Sequence, residues 1–321
     1  MRSRLSLLAD PMIAVLAIAT ALAFIWPAEG ELRGKAQQIA SVAIFLLFLV
    51  NGMRIARGEI LRGFVNWRFF LPLALWVFGV MGLAGLGVSW LATGLLPPLV
   101  ALGFLYLGTL PSTIQSAISY SSLAGGNIAL SVVGAALINI LGVFVTAPLF
   151  ALLGGGEVGA LGHEAIVRIG MILLLPFAIG QALQGWSREW IIERRAKIVW
   201  LDRVVIGIAV YVAFSGAVEQ GLMQMFSGWD WASLFGLVLG FLLLAHVLTW
   251  FAGGVLGLPR ADRIAFLFAG AQKSVAIGAP LAAILFVPDV AGFVIAPLLL
   301  YHLMQLVLAA PLASALDRQR I

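Results

Sequence analysis

Cysteine is missing from all 321 residues, which excludes disulfides and thiolate metal sites and leaves the redox compartment unreadable. Charge is scarce as well. Only 10% of residues are Asp, Glu, Lys or Arg, against about a quarter in soluble domains. The 14 carboxylates fall in loops or near the ends of apolar runs, so no buried acid pair offers itself for catalysis and no metal site is expected. No N-x-[ST] acceptor, H-E-x-x-H, phosphate-binding P-loop or G-x-S-x-G is present. Nothing in the chain therefore supports an enzyme, and no cofactor is expected.

What is abundant is apolar surface. At 62% hydrophobic residues and a mean hydropathy of +1.09, the chain lies outside the soluble range, and water is not its main solvent. Apolar runs occupy about 11–27, 37–53, 69–93, 97–124, 127–153, 165–184, 200–222, 231–257, 261–286 and 290–316. Runs of this length suit membrane-spanning helices. The expected fold is all-α: ten transmembrane helices in one membrane domain, 1–321. The first run, preceded by Arg2 and Arg4, is read as a span and not as a cleaved signal peptide.

The net charge of +5 is not a nucleic-acid signature, because the basic residues sit in short clusters between the spans. With the N-terminus in the cytoplasm, the inward segments hold Arg2, Arg4, Arg54, Arg57, Arg62, Arg68, Arg188, Arg194, Arg195, Lys197, Arg203, Arg260, Arg263, Arg318 and Arg320. The outward ones hold only Arg33, Lys35 and Arg168. This bias predicts cytoplasmic termini, and Trp26, Trp67, Trp186, Trp190, Trp200, Trp229 and Trp231 fall near span ends as an aromatic belt requires.

The chain divides near residue 160 into two sets of five spans, 11–153 and 163–316. In each half the fourth span is rich in polar and helix-breaking residues: Leu110-Pro111-Ser112-Thr113-Ile114-Gln115-Ser116 in the first, Gly270-Ala271-Gln272-Lys273-Ser274-Val275 in the second. Aligning Gln115 with Gln272 sets an offset of 157 residues. An odd number of spans per half orients the halves oppositely, the inverted repeat of secondary transporters, whose sites lie where interrupted helices meet.

Inside hydrocarbon a broken helix survives only where protein, water or ligand satisfies the freed backbone. Pro111 removes a donor, and Ser112 and Thr113 are suited to capping a new helix start. That start would present its partial positive end to an anionic group. Ser112, Gln115, Ser116, Ser119 and Ser122 cover a stripe about 120° wide on a helix, a ligand- or ion-facing surface if not simply interhelical hydrogen bonding. Lys273 is the one clear ionisable group near the centre of a span, roughly 18 Å from either end and too deep to snorkel out. It fills a cation position, binds substrate anions or carries protons; the structural alternative is a lysine bonded to helix-break carbonyls. His246 and His302 are candidate proton relays or neutral hydrogen-bond partners, and Asn139 reads as interhelical glue.

The stretch Leu107-Gly108-Thr109-Leu110-Pro111-Ser112-Thr113-Ile114-Gln115-Ser116, with Ser121 to Ser131 after it, resembles the bile acid:sodium symporter superfamily. Gly270-Ala271-Gln272-Lys273-Ser274-Val275-Ala276 narrows the likeness to its orphan, symporter-like (SBF-like) branch of bacterial and eukaryotic membrane proteins. The resemblance implies a panel domain from spans 1, 2, 6 and 7, a core domain from the others, and broken, crossing spans 4 and 9. It also implies a cell membrane, here the bacterial inner membrane. Ser116 and Ser131 match hydroxyl positions of the family's sodium sites, and Gln272 matches the ninth-span glutamine. Ala117, Lys273 and Phe268 depart from the sodium-binding pattern, so neither bound sodium nor a bile acid is carried over.

The expected function is secondary transport of a small anionic organic solute by alternating access, through Ser112, Thr113, Gln115, Ser116, Ser119, Ser131, Gln272, Lys273 and Ser274. Proton coupling through Lys273 and His246, or uniport, fits better than sodium coupling. The alternative is a non-transporting membrane regulator or sensor. The expected partners are the solute and the lipid bilayer.

Overall fold

The computed structural model describes residues 11–54, 58, 66–155 and 170–318, apart from the Met223 side chain. Among the described residues every regular element is a helix. The helices are α1 (Pro11–Ile25), α2 (Gly30–Arg54), α3 (Trp67–Ala74), α4 (Met81–Ala92), α5 (Pro98–Thr109), α6 (Ile114–Leu123), α7 (Ile128–Gly154), α8 (Leu175–Glu193), α9 (Arg195–Glu219), α10 (Leu222–Met225), α11 (Gly228–Val255), α12 (Arg260–Ala271), α13 (Val275–Leu285) and α14 (Pro288–Arg318). A π-helical turn, Leu75–Val80, joins α3 to α4, and another, Gly170–Leu174, precedes α8.

The starts follow local chemistry. Pro98 and Pro288 open helices at the first position, where the missing N–H costs nothing. Ser227 and Asp230 form a reciprocal capping box at α11. Asn127 caps α7 and also donates to Asp262, tying the start of α7 to that of α12.

Seven helices among the described residues are long and apolar enough to cross a membrane, counting α3–α4 and α12–α13 as one each. The pair α5–α6, bent by 62°, makes eight. The protein is thus a multi-pass membrane protein. Each of the ten apolar runs contains helix among the described residues, but length and composition qualify only these. The second helix begins at Gly30, not near 37. Its first two turns carry Glu31, Arg33 and Lys35, and Arg33 is held by carboxylates of other helices, which lets the helix outrun its apolar stretch. The expected repeat boundary at 163 and the basic residues Arg2, Arg4, Arg57, Arg62, Arg168 and Arg320 lie outside the described residues.

Helices α1, α2, α8 and α9 pack on one another. At the α2–α8 crossing the backbones nearly touch: a Cβ on Gly52 would lie 2.3 Å from the Phe177 carbonyl oxygen, and one on Gly180 2.1 Å from that of Leu49. A matching crossing, Gly85 on Gly108, joins α4 to α5. Small residues of this kind let helices approach where no hydrophobic effect drives them together. The α12–α13 unit is almost wholly buried, packed by α6, α7, α9, α11 and α14.

Candidate functional site

Two interrupted helices meet at the centre of the bundle. Leu110 turns extended at the end of α5, as a residue before proline prefers, and the chain stays non-helical to Thr113. Pro111 fits only because Gly142 faces it; a Cβ there would lie 2.5 Å from the ring. The second break covers Gln272, Lys273 and Ser274.

Each break satisfies the backbone of the other. The Ser274 N–H donates to the Pro111 carbonyl at 2.9 Å, and the Thr113 hydroxyl donates to the Lys273 carbonyl at 2.6 Å. Gln305 on α14 clamps the Lys273 backbone, accepting its N–H at 2.9 Å and donating to its carbonyl at 3.0 Å. Asn139 donates to the Ser112 carbonyl, Thr146 to that of Thr109 and Tyr301 to that of Ala271. Carbonyls orphaned by the breaks are thereby paired inside protein, as a low-dielectric interior demands.

The Lys273 ammonium takes the carbonyl oxygens of Gly108 and Leu110, both at 2.8 Å, and reaches that of Val77 at 3.4 Å. The first two belong to the negative, C-terminal end of α5, where carbonyls lose their helical partners, and the third to the π-helical turn Leu75–Val80. The side chain is fully buried.

Beside the crossover lies a cavity of about 880 Å³. Its polar floor is Thr113, Gln115, Ser116 and Ser119 from α6, Asn139 from α7, Ser274 at the start of α13, and His302 from α14. Its walls are apolar, with Leu47, Phe48, Phe177, Ile206 and Leu306, and Arg54, Arg195, Arg203 and Asp202 line it further out. Arg54 is held at 2.8 Å by Asp202 and at 2.6 Å by Asn51.

Of the residues singled out from the sequence, Thr113, Gln115, Ser116, Ser119 and Ser274 line this cavity, whereas Ser112, Ser131, Gln272 and Lys273 do not. Ser116 reaches behind the surface to hydrogen-bond the Gln272 side-chain oxygen. The Gln272 amide nitrogen and the Ser112 hydroxyl, in fully buried side chains, have no protein partner. Ser131 donates back to the Asn127 carbonyl within its own helix end. Thr113 stands at the start of α6 without capping it, because its hydroxyl is turned to Lys273. His246 does not line the cavity: it lies on α11, with Nδ1 2.9 Å from the Leu242 carbonyl. The breaks also align differently from the glutamines. Ile114 and Val275, the two half-helix starts, lie 161 residues apart, so Gln115 is inside a helix where Gln272 is in a break.

Gln305, Tyr301, Thr146 and Arg54 complete the site and were not singled out as site residues from the sequence. Gln305, three residues after His302 in an otherwise apolar stretch, is the one whose position gave a signal.

Interrupted helices that meet inside a membrane bundle beside a polar-floored cavity define a transporter-type membrane protein. Residues 10–318 match the SBF-like CPA transporter family, and the chain belongs to it. A Pseudomonas aeruginosa relative, "Uncharacterized protein PA2026", is 35% identical over 99% of this chain and 96% of its own. The Escherichia coli relative named "Putative symporter YfeH" is 36% identical over 97% of this chain and 93% of its own. More distant is "Sodium/bile acid cotransporter 7" of Mus musculus, 22% identical over 87% and 83%.

Proposed function

We propose that the chain is a secondary transporter that moves a small anionic organic solute by alternating access, with Lys273 serving as a built-in cation at the crossover in place of bound sodium. The observation that carries this is the ammonium of Lys273 seated among the Gly108, Leu110 and Val77 carbonyls. A site so filled has no need of a monovalent ion, which makes proton-coupled transport or uniport the expected mode.

The solute's anionic character is supported by the starts of α6 and α13, whose partial positive ends lie at the cavity floor. The arginines Arg54, Arg195 and Arg203 support it from further out. Ten spans in two inverted five-helix repeats are supported by the matching order of elements. The 25-residue α2 and α9, the broken α5–α6 and α12–α13, and the long α7 and α14 recur about half a chain apart. The basic bias of the loops supports cytoplasmic termini in a bacterial inner membrane.

The test is thermal stability of the purified chain against small organic anions, with and without sodium, followed by flux in proteoliposomes. The expected result is stabilisation of the wild type by an anion, no effect of sodium, and loss of the anion effect in Ser119→Leu, which fills the cavity floor. Stabilisation by sodium alone would overturn the assignment of Lys273.

A further inference from the structure

We propose that a second groove, on the outer face of α9, holds the phosphate of an anionic glycerophospholipid at the rim of the solute cavity. The groove has a volume of about 440 Å³ and is lined by Arg195, Ala196, Val199, Trp200 and Arg203. Arg195 and Arg203 stand eight residues apart, about 12 Å along the helix. Between them the floor is apolar, Ala196 and Val199, suited to the glycerol and first methylenes but not to a soluble anion. The Arg203 guanidinium lies 5.2 Å from the Trp200 ring centre, and that ring is itself half exposed.

Three features fix the kind of occupant. The exposed rings of Trp186, Trp190 and Trp200 mark this end of α8 and α9 as the bilayer interface, where indoles settle among headgroups. The local charge is positive: Asp202 is engaged by Arg54 and adjoins Arg203, Glu193 pairs with Arg194, and no carboxylate among the described residues lines the groove. A basic, apolar-floored groove at that depth complements an anionic lipid headgroup. Arg195, Val199 and Arg203 also line the solute cavity, so a lipid held there forms part of its edge.

The proposal is independent of the solute, because lipid retention is read without one. The full-length chain, stripped of lipid in detergent, is titrated with phosphatidylglycerol, phosphatidylcholine or glycerol 3-phosphate, and bound species are weighed by native mass spectrometry. The wild type and Arg188→Gln, which lies on α8 outside the groove, should retain phosphatidylglycerol roughly tenfold more strongly than the Arg195→Gln/Arg203→Gln double variant. Phosphatidylcholine should not distinguish them. A photo-crosslinking residue at Ala196 in the otherwise wild-type chain should capture phosphatidylglycerol, a readout that needs no arginine variant. Equal retention by the double variant, equal binding of phosphatidylcholine, or equal binding of glycerol 3-phosphate would each overturn the proposal. So would a dimer that vanishes in the double variant, because it would put a second copy of the chain in the groove.

Discussion

The ammonium nitrogen of Lys273 lies 2.8 Å from the carbonyl oxygen of Gly108, a contact that joins the second helix break to the end of the first interrupted helix. Replacing Lys273 with Met keeps most of the volume but strands that carbonyl and the one of Leu110. The expected cost is roughly 3 kcal/mol, because buried carbonyls that lose a charged donor recover no water. Lys273→Ala should be comparably destabilised. The space it leaves among the oxygens should also make the variant's melting point depend on sodium or potassium where the wild type's does not. A cation-independent melt of a folded Lys273→Ala would count against the built-in cation.

Gln305 holds the backbone N–H and carbonyl of Lys273 through one acceptor and one donor. Gln305→Leu should lower stability by about 1–3 kcal/mol, since it orphans a buried N–H. Gln305→Glu keeps the acceptor for the Lys273 N–H, so it should lie between Leu and wild type in a thermal melt. If Glu and Leu behave alike, the acceptor half of the clamp is unimportant.

Arg33 and Arg54 stand near opposite ends of α2, about 31 Å apart along the helix. Near the first, Arg33 of α2 binds Glu219 at the end of α9 and Asp289 at the start of α14, while Arg54 lines the cavity. Arg33→Gln should favour opening on the Arg33 side. The chain has no cysteine, so Ser119→Cys on the cavity floor is the single thiol. An impermeant maleimide should label it from the Arg54 side in otherwise wild-type vesicles, and measurably from the Arg33 side once Arg33 is replaced. Unchanged sidedness would show that the ion pairs do not control access.

At Gly52 a Cβ would meet the Phe177 carbonyl oxygen at 2.3 Å, while at Gly87 nothing lies within 4 Å. Gly52→Ala should therefore push α2 from α8 and destabilise the chain by about 1–3 kcal/mol. Gly87→Ala, in the interior of α4, should be neutral or gain up to about 1 kcal/mol. Comparing the two melts separates helix contact from helix propensity.

Much of the site was visible as chemistry before it was visible as geometry. Pro111 with its hydroxyl neighbours, and a lysine deep in an apolar run, are costly in a membrane and so announce themselves. What they do was not visible. The side on which Thr113 spends its hydroxyl depends on Lys273, which is 160 residues away. The partition of the serine stripe, with Ser119 on the cavity floor and Ser112 behind it, follows from how α6 leans on α7 and α12. His246, equally polar and equally deep in an apolar run, has a ring nitrogen at the Leu242 carbonyl of its own helix and does not line the cavity.

A multi-pass helical membrane protein with two polar interruptions in a nearly carboxylate-free interior follows from the order of residues alone. Hydropathy, proline and buried charge act locally, and their cost is set by the solvent rather than by any partner. The closing of the Lys273 amine on carbonyls of another helix, the Gln305 clamp, and the ties of Arg33 to Glu219 and Asp289 while Arg54 lines the cavity exist only in the tertiary structure. Those outcomes depend on long-range packing, where a glycine such as Gly142 or Gly52 sets whether two backbones approach closely enough for a hydrogen bond.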